Sequence, residues 1–400
     1  MSHQIPVLLD ATSLPPSWGG VARYIEGLLT GLDELDVAVH VVAKPADVDR
    51  LRSAAPGHRY HAAPASVAKR PVRFAWEQSG LPRLAGRLGV TAIHSPHYTF
   101  PLATSRARVV TLHDATFFTD PAVHSRLKRT FFSTWIRRAA RSAAALVTPS
   151  RATADAVRGA VAVAVRPPIA VAYLGVDPAV FTRPSQESVD HFAAAHDLDA
   201  STGWIAFLGT IEPRKNVPAL LQAHATLRAD RESRGLDTPA LVLSGARGWD
   251  DEAARMLDRA AASDGVAEAG YLPLDELAAF LGGSVLVAYP SLGEGFGLPV
   301  LEAMSCGATV LTTRRLSIPE VGGDAVAYAE PDPASLAAAI DGLLDDPERR
   351  RMLGAAALDR AAGFSWAACA REHLVAYAEA GVRLPTELAG PATANPGTTS

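Results

Sequence analysis

Between Tyr289 and Gly307 the chain reads YPSLGEGFGLPVLEAMSCG. Gly295 and Gly297 allow a tight turn and a close approach of backbone to a ligand. Pro299 near the start and Gly307 just past the end mark a short helix after the strand VLVAYPS. Free N–H groups at such a helix start attract an anion. Glu294 ends the strand side and Glu302 lies in the first turns of the helix, so both carboxylates are expected to reach one crevice, and an ionised carboxylate only accepts hydrogen bonds. A ligand that suits both features carries phosphate for the amides and hydroxyls for the glutamates. A nucleotide-sugar does so, with its diphosphate between a sugar and a ribose. The alternative is an ordinary strand–turn–helix whose acids complement the helix dipole. A short G-x-G recurs by chance; two acids, two glycines, an aromatic and a proline in one loop are far more specific.

The elements around this loop must bring it to a strand end. Apolar runs read as strands at IPVLLDA, VAVHVVA, AIHSP, RVVTLHD, ALVTPS and IAVAYLG, then at GWIAFLG, ALVLSG, AEAGYL, VLVAYPS, ATVLTT and AVAYAE. Helical segments such as GGVARYIEGLLTGLDEL, VPALLQAHATLRAD, LDELAAFLGG and PASLAAAIDGLLDDPERRRML lie between them. Continuous apolar strands alternating with helices imply parallel sheets covered on both faces. The pattern runs twice, broken by the polar RPSQESVDHFAAAHDLDASTG. The expectation is an α/β protein of two doubly wound, Rossmann-like domains facing across a cleft, spanning residues 1–185 and 186–365. Ligands of such sheets bind outside the carboxyl ends of the strands. The end of the chain, LPTELAGPATANPGTTS over 384–400, has the composition of a disordered tail.

Composition narrows the class. Apolar residues make up 48% and charged residues 20% of the 400, ordinary for a globular protein. No transmembrane helix or signal peptide is expected. Cys306 and Cys369 sit in apolar helical patterns and read as packing residues. The lack of a Cys/His cluster argues against structural zinc, and a cytoplasmic location fits. The net charge of −4 conceals an asymmetry: residues 1–185 hold 22 basic and 12 acidic side chains, and residues 186–400 hold 16 and 30. Only four lysines occur, Lys44, Lys69, Lys128 and Lys215.

The stretch EGFGLPVLEAMSCG, with its glutamates in E-x₇-E spacing, resembles the signature of the retaining glycosyltransferases of family 4, which have the GT-B fold. The resemblance implies that Glu294, with Gly295, Phe296, Gly297 and Leu298, holds the donor sugar and phosphate, and that Glu302 holds the ribose. FLGTIEPRKNVPALLQAH resembles the first strand, loop and helix of the family's second domain, and its GTIEPRKN loop is similar to that of mannosyltransferase-like relatives. Lys215 matches the lysine that neutralises the donor diphosphate, with Arg214 beside it. Many relatives place an arginine where this chain has Thr210, so the source of a second cation stays open. Gly19 and Gly20, in SWGGVARYIEGLL, match a loop over the donor phosphates. His113 matches the active-site histidine that contacts the donor sugar. Asp114 could orient His113, bind acceptor or cap the next turn. Ser150 reads as a helix cap, because no base is placed to activate it. Glu320 is assigned a part in shaping the site. GFSWAACAREHLVAYAEA resembles the terminal helix, expected over 366–383, that crosses back to the first domain in this fold, and the resemblance implies that the first domain binds the acceptor and the second the nucleotide-sugar donor.

The implied reaction moves a hexose, GDP-mannose being the favoured donor, from a nucleoside diphosphate to a hydroxyl of a glycan, lipid-linked or small-molecule acceptor, with retention and without metal or other cofactor. The alternatives are a nucleotide-sugar epimerase, a sugar phosphorylase or a non-catalytic nucleotide-sugar-binding protein of the same fold. SRLKRTFFSTWIRRAARSAAALV and AKRPVRFAWEQSGLPRLAGRL are basic and aromatic, and no acid occurs from Pro121 to Ala154. Solvated helices with charge outside and aromatics inside account for them. The competing reading is contact with anionic membrane, or capture of an anionic acceptor. No nucleic-acid module accompanies the charge.

Overall fold

The protein is described from a computed structural model, covering residues 3–15, 19–119, 125–161, 165–199, 201–260 and 265–388. Contacts divide it into two units. The first runs through Gly175 and resumes at Phe364; the second runs from Val176 to Gly363. The division falls before the polar break, and part of that break is helical. Gln186–Ala195 buries Phe192 against Trp204 and Phe280, capped by Ser185.

The first unit contains β1 (His3–Asp10), α1 (Gly20–Glu34), β2 (Val37–Ala43), α2 (Pro45–Ala54), β3 (Arg59–Ala62), α3 (Arg70–Leu88), β4 (Ala92–Ser95), β5 (Ala107–Thr111), α4 (Thr116–Thr119), α5 (Arg126–Ser142), β6 (Ala145–Thr148), α6 (Arg151–Ala160) and β7 (Ile169–Val171). Its seven strands are parallel in the order β3-β2-β1-β4-β5-β6-β7. All seven residues of β2 are buried, as both-face burial of a parallel sheet requires. β3 escapes the sequence pattern because RYHA is short, lies at the edge and is at most half-buried.

The second unit contains α7 (Gln186–Ala195), β8 (Trp204–Leu208), α8 (Val217–Ser233), β9 (Ala240–Ser244), α9 (Asp251–Arg259), β10 (Val266–Gly270), α10 (Leu274–Gly282), β11 (Leu286–Tyr289), α11 (Leu298–Ser305), β12 (Val310–Thr312), α12 (Ile318–Gly322), β13 (Ala327–Tyr328), α13 (Pro333–Leu344) and α14 (Pro347–Ala361). Its six strands are also parallel, in the order β10-β9-β8-β11-β12-β13. α13 and α14 arise from one helical stretch of the sequence. They separate where Asp346 caps the next helix and Pro347 opens it, since proline cannot continue a helix from within.

α15 (Trp366–Glu379) belongs to the first unit. It packs on α1 through two glycines. A Cβ on Gly27 would lie 2.0 Å from the Trp366 ring, and one on Gly31 would lie 2.1 Å from the Trp366 carbonyl oxygen. Gly27→Ala is therefore expected to destabilise the protein by about 1–3 kcal/mol through overpacking. Thermal unfolding checks it: the loss should shrink when Trp366→Ala is added, because the two changes share one contact. Cys306 and Cys369 are both buried and free. Burial pushes the Cys306 thiol up to about 12, consistent with packing rather than reactivity.

Candidate active site

In the second unit two loops meet at the strand ends because β8 and β11 are neighbours in the sheet. After β8 the chain passes Glu212, turns tightly over Pro213–Lys215 and enters α8 through Asn216, which adopts the left-handed conformation at φ 58°. The Asn216 amide donates to Pro331 O at 2.7 Å and to Pro290 O at 3.3 Å. The Arg214 carbonyl accepts from Leu292 N at 2.7 Å. These bonds fix the loop that carries Arg214 and Lys215 against the loop that carries Glu294.

The side chains converge. Glu294 Oε1 accepts from Lys215 Nζ at 2.7 Å and from Tyr289 OH at 3.0 Å, and lies 2.7 Å from Ser291 Oγ. Glu294 Oε2 accepts from Arg214, which also donates through Nε to Glu212 at 2.6 Å. The Lys215 ammonium bonds the Tyr289 hydroxyl and sits 4.7 Å from that ring's centroid, within cation–π range. Lys215 is 5% exposed and Glu294 6%, so this is a buried ion cluster rather than a surface pair. Burial pushes the Glu294 carboxyl up, but Arg214, Lys215 and Ser291 outweigh it and hold the group down at about 2. Burial lowers Lys215, and Arg214 adds to that; Glu294 and Glu212 oppose both. The two directions agree physically: one carboxylate serves two cations, so it is strongly held while each cation shares it.

Gly297 precedes α11 at φ 99°, and a Cβ there would meet Ile318 at 2.7 Å. Both conformation and space demand glycine. Pro299 opens α11, Phe296 and Leu298 are buried, and Glu302 is fully buried on that helix. Ser317 Oγ donates to Glu294 O at 2.8 Å, and Thr313 Oγ1 to Ser291 O at 2.6 Å, bracing the loop from beneath. Glu320 lies in the first turn of α12, where its carbonyl accepts from Arg360 at 2.7 Å.

The remaining candidates lie in the first unit. α1 starts at Gly20 with Gly19 as its cap; both are exposed, and nothing stands within 4 Å of an added Cβ. Ser17 and Trp18 of that motif lie outside the described residues. His113 follows β5, and its Nε2 lies 2.7 Å from Pro96 O. A carbonyl only accepts, so Nε2 carries the proton and Nδ1 is the acceptor in the neutral ring. Burial lowers the His113 pKa against the opposing Pro96 bond and Asp114 charge. The Tyr24 ring packs edge-on to it at 4.7 Å. Of the three roles open to Asp114, the structure shows the cap: Oδ1 accepts from Thr116 Oγ1 at 3.0 Å and from Thr116 N at 3.3 Å. Ser150 caps α6 by accepting from Thr153 N at 3.0 Å.

Two groupings were not anticipated from sequence. A buried polar chain joins Tyr377, His94, Thr111, Tyr24 and His373 through bonds of 2.8–2.9 Å, linking α15 to the ends of β4 and β5 behind His113. The second centres on Glu77, buried on α3. Its Oε2 accepts from Thr99 Oγ1 at 2.7 Å and Arg73 at 3.0 Å. Burial and the nearby Asp10 raise its carboxyl to about 7, against its own hydrogen bonds. The fold thus favours the protonated form. Its contribution to stability is full below the unfolded value of 4.5 and is lost as pH rises through about 7. Glu77→Gln should remove a pH-dependent loss on the order of 3 kcal/mol between about pH 5 and about pH 8, read from thermal unfolding of both proteins at the two pH values. Histidine and glutamate spacing in the sequence gave no sign of either grouping.

Residues 18–180 match the family described as Glycosyltransferase Family 4, and residues 190–360 match Glycosyl transferases group 1. The chain is 32% identical over 289 residues to the O-antigen chain mannosyltransferase B of Escherichia coli, covering 71% of this chain and 73% of that protein. It is 34% identical over 190 residues to the D-inositol 3-phosphate glycosyltransferase of Frankia alni, covering 46% of this chain and 47% of that protein. Among solved structures, a sucrose-phosphate synthase from Thermosynechococcus elongatus superposes with a TM-score of 0.73 at 19% identity, covering 94% of this chain and 98% of that one. The fold shared with such structures is GT-B. Among the described residues no helix is long and apolar enough to cross a membrane.

Proposed function

Because this chain belongs to the family 4, group 1 glycosyltransferases, we propose that it moves mannose from GDP-mannose to a hydroxyl of a glycan acceptor, with retention at the anomeric carbon. The observation that carries the reading is the buried Glu294–Lys215–Arg214 cluster beside the Gly297 turn. Departure of a nucleoside diphosphate concentrates negative charge on the leaving oxygen. Lys215, Arg214 and the first amides of α11 supply a preorganised positive field for it. Glu294 accepts from hydroxyls of the donor sugar, Glu302 from those of the ribose, and His113 contacts the sugar. Gly19 and Gly20 give backbone approach to the phosphates. With each carboxylate assigned to a different sugar, neither is cast as the nucleophile of a retaining hydrolase. The leaving phosphate instead takes the acceptor's proton as the new bond forms on the same face. The choice of mannose draws on the similarity to the mannosyltransferase above.

A thermal-shift panel of nucleotide-sugars, followed by NMR of the product formed with the stabilising donor, tests the reading. GDP-mannose should stabilise most, the product should be an α-mannoside, and EDTA should not slow its formation. An epimerised donor, or donor binding without transfer to any hydroxyl, would reject it.

The basic helix α5 carries exposed Arg126, Lys128 and Arg129 with Leu127 82% exposed. A cationic face with a protruding leucine suits the surface of an anionic membrane, where a lipid-linked acceptor would reside. Sedimentation with vesicles of anionic against neutral lipid at low salt should show enrichment on the former only. Equal recovery would remove membrane contact.

A further inference from the structure

Tyr289 closes β11, the strand that lies between β8 and β12. Its ring is buried and stacks on Phe207 of β8, with centroids 6.1 Å apart and planes at 22°. Thr312 Oγ1 of β12 donates to its carbonyl at 2.8 Å. The phenol therefore projects from a braced strand, while Lys215 and Glu294 project from the two loops. Its hydroxyl sits between them. It accepts from the Lys215 ammonium and donates to Glu294 Oε1 at 3.0 Å, and the ammonium itself reaches that Oε1 at 2.7 Å. An ammonium only donates and a carboxylate only accepts. The phenol does both, so it serves the two ions at once. Burial first, and then the Glu294 charge, pushes the Tyr289 pKa well above the ordinary tyrosine value, so the hydroxyl keeps the proton that it donates.

As the side chains stand, Lys215 and Arg214 direct their charge at Glu294. A diphosphate draws on Lys215 and a sugar hydroxyl draws on Glu294, so their mutual contact must loosen as the donor enters. Lysine is a point charge on a flexible four-carbon stem, and it loses its aim when the carboxylate is drawn off. The other groups facing the pair do not bridge it. Arg214 meets Oε2 and Glu212, and Ser291 Oγ lies against Oε1 and the Arg214 carbonyl. Tyr289 touches both ions from a rigid element, the placement that holds a site most closely to its geometry.

We propose that Tyr289 is a positioning residue of this site, whose hydroxyl keeps Lys215 aimed at the diphosphate and Glu294 aimed at the sugar once the donor has parted them. This rests on the transferase reading above and adds a residue to it. The hydroxyl stays hydrogen-bonded to both side chains, and the ring stays under the ammonium, which lies 4.7 Å from its centroid. Phenylalanine keeps that cation–π contact and the stacking on Phe207, and removes the hydroxyl alone.

The test is NMR of the lysine side chains in the full chain, which carries only four lysines, together with transfer kinetics. In Tyr289→Phe the Lys215 signal should titrate at lower pH than in the wild type, because an acceptor that favours the charged ammonium is gone, while Lys44, Lys69 and Lys128 stay unmoved. The variant's kcat should fall by about 10–100-fold through misaimed groups, with the KM for GDP-mannose within about threefold. A merely structural tyrosine would lower the melting temperature and leave the Lys215 titration and the kcat-to-KM split as they were; that result overturns the proposal. The wild type supplies a second measurement that needs no variant. The ring current of Tyr289 should shift the Lys215 ε-protons upfield both without and with GDP. Loss of that shift on adding GDP would show the lysine leaving the tyrosine, and would overturn the proposal too. Failure of the wild type to bind GDP would reject the transferase reading alone, because the Lys215 titration in Tyr289→Phe decides the tyrosine's hold on the lysine without any ligand.

Discussion

Glu294→Gln is expected to lower the rate of sugar transfer by roughly 10³-fold, the scale seen when one preorganised electrostatic contact to a transition state is removed. The amide keeps the shape of the side chain but cannot hold two cations or accept on both ends. The structure also separates this variant from Glu294→Ala. Alanine leaves Lys215 and Arg214 without the carboxylate they share, and breaking a buried ion cluster from one side costs about 3–5 kcal/mol. Transfer rates with melting curves distinguish the two. Glutamine should cost mostly activity, alanine activity and several degrees of stability. An acid limb follows as well. The folded carboxyl is held at about 2, below the unfolded value of 4.5. Its contribution is therefore present above 4.5 and lost as pH falls towards 2, and in Glu294→Gln that part of acid unfolding should disappear. Wild-type turnover in Glu294→Gln would remove the residue from the reaction.

Lys215→Met should lower kcat/KM by about 10²–10³-fold, through loss of a point charge aimed at the leaving diphosphate. Methionine follows the lysine stem in shape, and Glu294 keeps Arg214, so the loop is expected to hold. Titration calorimetry gives the sharper readout. Affinity for GDP should fall by about 100-fold, while GMP, which lacks the second phosphate, should lose about threefold or less. An equal loss for both nucleotides would place the lysine's role in the fold of the loop rather than at the diphosphate.

Much of this arrangement is legible in the sequence because parallel strands buried on both faces announce themselves. VAVHVVA and GWIAFLG are continuous apolar runs, and each is a strand. Proline and glycine likewise mark both ends of α11. What stayed hidden depends on partners far apart in the chain. β3 is a half-exposed edge strand whose pairing with β2, not its own pattern, defines it. The polar stretch after residue 183 looks like a linker until Phe192 meets Trp204 and Phe280. Arg214, Lys215 and Glu294 carry a signal in their types and positions, but Tyr289, Ser291 and Ser317 do not. Their hydroxyls matter only once the two loops are side by side. His94 and Tyr377 stand 283 residues apart and share one hydrogen bond of 2.8 Å. No local rule forecasts a pair of that kind.

The central claim is that a diphosphate rests on the amides that open α11, with the donor hexose at Glu294 and the ribose at Glu302. A crystal structure with GDP-mannose bound tests it most directly. The β-phosphate should lie within hydrogen-bond reach of the Gly297–Leu298 amides and Lys215, with mannose hydroxyls on Glu294 and ribose hydroxyls on Glu302. A nucleotide bound away from the α11 entrance, or ribose and mannose both remote from these two carboxylates, would contradict it.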